Sequence, residues 1–107
     1  ANNNDWIQLV HNPKDAVNNA DVIYTDVWTS MGQDQERKDR SKAFKDYKVT
    51  SEILGSAKED AIFMHDLPAH RGEEVEDGII EHEQSVVFDQ AENRLHTQKA
   101  LIAYMIG

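Results

Sequence analysis

Apolar and polar positions along this chain follow two periods that take turns. Asp5–Val10, DWIQLV, reads as a strand, and the stretch NPKDAVNNA after it carries helix-start chemistry, with Asn12 to cap and Pro13 at the first helical position. Asp21–Val27, DVIYTDV, is apolar enough on both sides to be a central strand. A loop, WTSMG, leads to a helix over residues 33–47. YKVT has room for a short strand, and Thr50 or Ser51 opens another helix. AIFMHDL is the third clear strand, and SVVFD, Ser85–Asp89, a fourth after a long polar loop. AENRLHTQKALIAYMIG closes the sequence as a helix, its Leu95, Leu101, Ile102, Met105 and Ile106 near helical spacing.

Strands separated by helices need crossover connections, and these generate a parallel sheet with helices on its faces. The predicted fold is α/β: a doubly wound, mostly parallel sheet of about four strands flanked by helices, an incomplete Rossmann-like domain. Ligands of such sheets gather at the carboxyl ends of the strands. Three features fall there: Asp26 with Ser30, Met31 and Gly32; the run His65-Asp66-Leu67-Pro68; and the turn into Ala91-Glu92-Asn93-Arg94. The glycine-rich dinucleotide turn is absent, so no nicotinamide or flavin cofactor is expected.

Composition narrows the picture. A chain of 107 residues is one domain, and 39% hydrophobic residues in periodic segments argue for folding despite 29% charged ones. The net charge of −9 makes nucleic acid an unsuitable partner, because the mean field repels phosphates. The basic residues of ERKDRSKAFK interleave with acids and read as a solvated helix face. No apolar run is long enough to span a bilayer, so the chain reads as soluble, with no membrane partner. Having no cysteine, it makes no disulfide, and an acidic domain without disulfides fits the cytosol. Trp6 and Trp28 are expected to be buried.

Taken singly, the candidate residues have ordinary roles. An aspartate closing a strand caps turns, and an arginine opening a helix pairs at the surface. His65, Asp66, His70 and Asp26 include metal-donor types, but their spacing fits no standard motif and no metal is expected.

Together, DVWTSMGQ, FMHDLPAHRGEEV and SVVFDQAENRLHTQKA resemble the second, ornithine-binding domain of ornithine carbamoyltransferases, from about Trp6 to the last residue. The resemblance implies transfer of a carbamoyl group from carbamoyl phosphate to the side-chain amine of L-ornithine, giving citrulline and phosphate. It implies ornithine contacts at Asp26, Ser30 and Met31, and a carbamoyl phosphate contact at Arg94. Its His-Cys-Leu-Pro loop corresponds to His65-Asp66-Leu67-Pro68, so Asp66 stands where the family has a cysteine, beside Leu67, at the reacting carbamoyl group. It further implies that residues 1–107 are one truncated ornithine-binding domain. The family's Ser-x-Arg-Thr-Arg phosphate loop and the opening strands would then be absent. Such a chain is expected to be inactive alone and to self-associate as a homo-oligomer. The rival reading is a redesigned or truncated α/β scaffold, a binding module without turnover.

Overall fold

A computed structural model describes residues 5–30 and 34–107. Helix α1 (Pro13–Val17) starts as its sequence dictates: the Asn12 side chain accepts a hydrogen bond from the Lys14 amide at 3.0 Å, and Pro13 needs no amide partner there. Strand β1 (Val22–Thr25) follows. Helix α2 (Arg37–Phe44) is flanked by single 3-10 turns at Asp34–Glu36 and Lys45–Tyr47, so the helix expected over 33–47 is present in three pieces. The Phe44 ring sits between Trp28 and Tyr47 at centroid distances of 6.0 and 6.4 Å, which ties its end to the loop after β1. Helix α3 (Ser51–Gly55) is capped by the Thr50 hydroxyl, which accepts from the Ile53 amide at 3.2 Å. Strand β2 (Ile62–His65) and the long helix α4 (Val87–Ile106) complete the chain.

Strands β1 and β2 pair in parallel, Val22 with Ile62 through Thr25 with His65. Side chains alternate across such a pair. Ile23, Phe63 and His65 therefore face the core, which is filled by Val49, Ile53, Leu54, Val75, Ile79, Ile80 and Val87. Full burial of Phe63, Leu54 or Ile79 contributes about 1.5–3 kcal/mol each.

The architecture is α/β with a parallel sheet, yet the sheet has two strands where about four were expected. Residues 6–10 form no strand, and Trp6 is 91% exposed rather than buried. Ile7, Leu9 and Val10 are exposed as well, and among the described residues the sheet consists of β1 and β2. At Ser85 the expected fourth strand shrinks to one bridge with Phe63: the Phe63 amide donates to the Gln84 carbonyl at 2.8 Å and the Val86 amide to the Phe63 carbonyl at 3.0 Å. Helix α4 then begins at Val87, which is buried while Phe88 is not. The YKVT stretch likewise reduces to one bridge, Val49 with Val75.

Only one face of β1 is covered. Val22 and Tyr24 are 46% and 56% exposed, which contradicts a central strand buried on both sides. From Ala91 onward α4 is exposed throughout, its Leu95, Leu101, Ile102, Met105 and Ile106 included. The radius of gyration, 16.1 Å, exceeds the roughly 13 Å of a compact domain of this length, as a projecting helix requires. No described helix is long and apolar enough to cross a membrane.

Candidate functional site

The strand register decides the site. Asp26 follows Thr25 and Asp66 follows His65, and Thr25 and His65 are partners, so the two carboxylates leave the carboxyl ends of neighbouring parallel strands side by side. Adjacent strands lie about 4.8 Å apart. Both aspartates are exposed and open to a ligand.

Asp26 is fixed locally, since its Oδ1 accepts from the Val27 amide at 2.7 Å. This is the turn-forming role that an aspartate ending a strand ordinarily plays, and it leaves Oδ2 for other work. The loop beyond is anchored twice: Thr29 is buried, and the Trp28 carbonyl accepts from the Arg40 guanidinium at 3.0 Å. Ser30 is exposed at its end. Met31 lies outside the described residues.

Under Asp66 sits a buried polar relay that sequence reasoning missed. His65 and Glu74 are both 0% exposed. His65 Nδ1 accepts from the Leu67 amide at 2.8 Å, so the ring carries its proton on Nε2. Nε2–H donates to Glu74 Oε1 at 2.8 Å, and the His70 amide donates to that oxygen at 2.8 Å. With Nδ1 already an acceptor, the approach of Asp66 Oδ1 to 3.5 Å is no ion pair. The relay holds Leu67 at φ 57°, a left-handed conformation that costs a branched residue of order 1–3 kcal/mol, and a cis peptide joins Leu67 to Pro68. A second clamp comes from Gln90: its Oε1 accepts from the His65 amide at 3.0 Å and its Nε2 donates to the Tyr24 hydroxyl at 3.1 Å, joining α4 to both strands. In the sequence, the signal for Glu74 is an acid directly before the core residue Val75 in RGEEV.

Arg94 lies two turns into α4 and lines an open cavity of about 550 Å³ with Met64, Val86, Gln90 and Asn93. Asp26, Ser30 and Asp66 do not line that cavity, whereas Met64, two residues before Asp66, and Asp89 do. Of the four arginines, Arg37 holds Glu73, Arg40 holds Glu36 and Arg71 holds Glu81. The Arg71–Glu81 pair pushes the arginine up and holds the Glu81 carboxyl below its ordinary value, both through their hydrogen bond first. Arg94 is the one arginine without an acid partner among the described residues.

Known proteins match this chain along nearly its whole length. Residues 1–105 match the family described as aspartate/ornithine carbamoyltransferase, Asp/Orn binding domain. An ornithine carbamoyltransferase of Hydrogenovibrio crunogenus is 55% identical over 105 residues, covering 98% of this chain and 35% of that protein. One from Thermococcus kodakarensis is 59% identical over 100 residues, covering 94% and 32%. In the solved structure of the Pyrococcus furiosus ornithine carbamoyltransferase, 88% of this chain superposes on 30% of that one with a TM-score of 0.80 at 57% identity. The chain thus spans about a third of the length of the curated relatives it matches.

Proposed function

This chain belongs to the aspartate/ornithine carbamoyltransferase family, in its Asp/Orn binding domain, and on that premise we propose that residues 1–107 are the ornithine-binding half of an ornithine carbamoyltransferase. In the complete reaction the neutral side-chain amine of L-ornithine attacks the carbonyl carbon of carbamoyl phosphate. The new C–N bond forms, the C–O bond to phosphate breaks, and the amine gives up a proton, leaving citrulline and phosphate.

The observation that carries this reading is the parallel register that sets Asp26 beside Asp66. Asp26 holds the α-ammonium by a charge-assisted hydrogen bond, and Ser30 and Met31 fix the rest of the amino acid. Asp66 and the Leu67 backbone, seated on the His65–Glu74 relay, meet the reacting amine and the carbamoyl group. Asp66 stands where the family resemblance puts a thiol, so the site meets the amine with a carboxylate. That carboxylate strengthens binding of the ammonium form, and the amine must lose that proton before it attacks. Arg94, a planar permanent cation, serves carbamoyl phosphate.

Turnover needs more than these residues supply. A departing phosphate demands several donors, and Arg37, Arg40 and Arg71 are committed to glutamates. The chain alone binds ornithine and does not turn it over, working with the remainder of a two-domain enzyme in a homo-oligomer. Calorimetric titration with L-ornithine tests this: Asp26→Ala should weaken binding by about 1.5–3 kcal/mol, and Arg94→Ala should leave it unchanged. Equal losses in the two variants overturn the assignment, and no binding by the unaltered chain favours a scaffold without a ligand.

A further inference from the structure

The segment after β2 gathers ligand atoms that the ornithine site does not use. His70, Glu73 and Glu74 each offer one donor atom, and these lie within 4.8 Å of one another. Each acid is committed to the protein through one oxygen only. Glu73 Oε1 takes the Arg37 guanidinium, at 2.8 Å from Nε and 2.7 Å from a terminal nitrogen. Glu74 Oε1 takes His65 Nε2–H and the His70 amide. The second oxygen of Glu73 lies 3.5 Å from His70 Nδ1. Glu74 Oε2 and His70 Nδ1 are both buried without a hydrogen-bond partner, and the whole Glu74 side chain is 0% exposed.

A buried carboxylate oxygen facing no donor is costly, and folded proteins seldom keep one. Two carboxylates and one guanidinium leave the cluster a net negative charge, which a cation offsets. We infer that His70, Glu73 and Glu74 bind one divalent transition-metal ion of the zinc class, with solvent completing the shell. The 3.5 Å between His70 Nδ1 and Glu73 Oε2 is near the edge, about 3.4 Å, of a tetrahedron with bonds of about 2.0–2.1 Å, and the Glu74 donor, within 4.8 Å of both, draws in when the ion binds. One imidazole with two carboxylates suits zinc, whereas calcium and magnesium favour oxygen alone. Through its other oxygen Glu74 keeps its hold on His65, so the ion clamps the 70–74 segment to the end of β2. This inference stands apart from the ornithine reading.

The test is calorimetric titration of the chelator-treated chain with zinc chloride in a non-coordinating buffer near neutral pH, with circular dichroism to verify folding. One ion should bind per chain. His70→Ala and Glu73→Gln should each weaken binding at least about tenfold. His96→Ala, which removes an exposed histidine 3.6 Å from Glu92, should leave it intact. No binding, affinity unchanged in the first two variants, or affinity lost with His96 overturns the site. If a variant fails to fold, imidazole resonances of the unaltered chain decide: zinc must shift those of His70 before those of His11, His82 and His96, and the reverse order overturns the assignment.

Discussion

His65→Ala should remove a large part of the stability of this chain. The ring is 0% exposed, donates from Nε2 to an equally buried Glu74 carboxylate at 2.8 Å, and accepts the Leu67 amide at 2.8 Å. Truncation strips Glu74 of its side-chain donor and leaves it only the His70 amide. Removing one partner from a buried pair of this kind costs about 3–5 kcal/mol, against a total stability of about 5–15 kcal/mol for a typical domain. Glu74→Ala removes the charge itself and strands the His65 N–H, at a cost of about 1–3 kcal/mol for the unmade bond plus the lost packing. The two changes share one interaction, so the double variant should be less damaged than their sum by about 1.5–3 kcal/mol. Urea unfolding followed by circular dichroism, with chelator present throughout, measures all four corners of the cycle. A His65→Ala loss below about 1 kcal/mol, or additivity within about 0.5 kcal/mol, would refute the relay as the support of the Asp66 loop.

In a two-domain enzyme carrying this sequence, Asp66→Cys should raise citrulline production near neutral pH by about tenfold. Unit charges 4 Å apart oppose each other by about 1 kcal/mol in water and about 4 at an effective dielectric of 20, and a half-exposed Asp66 sits between those limits; steady-state rates equal to or below those of the Asp66 enzyme contradict this. Glu76 accepts from the Ser51 amide at 2.8 Å and the Ser51 hydroxyl at 2.9 Å, which together hold its carboxyl below the ordinary 4.5. A lowered carboxylate contributes stability that is complete above 4.5 and is lost as pH falls through the folded value, so acid unfolding by circular dichroism should show Glu76→Gln weaker than the parent at pH 7 and converging with it only as pH falls below that depressed folded value. The exposed Leu95, Leu101, Ile102, Met105 and Ile106 of α4 predict self-association, which light scattering should detect as a rise in mass with concentration.

What the sequence made legible was local. Asn12 with Pro13 and Thr50 before Ser51 mark helix starts because a cap needs only its own next three residues. The strand cores at Val22–Thr25 and Ile62–His65 were equally readable from their apolar runs. Ser85–Asp89 misled because two adjacent valines fit a strand as well as the first turn of a buried helix, and only the packing of Val87 separates them. Trp6–Val10 misled because a strand needs a neighbour, which no local pattern supplies. At the site, Asp26 and Asp66 could be placed at strand ends, but their adjacency depends on the β1–β2 register. Glu74 escaped notice because burial of a glutamate is decided by His65, nine positions earlier, and a charged loop residue is ordinarily exposed.

The most direct test of the central claim is amide chemical-shift mapping of the isotope-labelled chain during titration with L-ornithine. Ornithine held between the ends of β1 and β2 should shift Val27, Ser30 and Leu67 together, along one saturating curve, and leave α1 and α3 unmoved. Shifts confined to α4, shifts spread evenly over the exposed acids, or none at millimolar ornithine would contradict the assignment of these strand ends as the ornithine site.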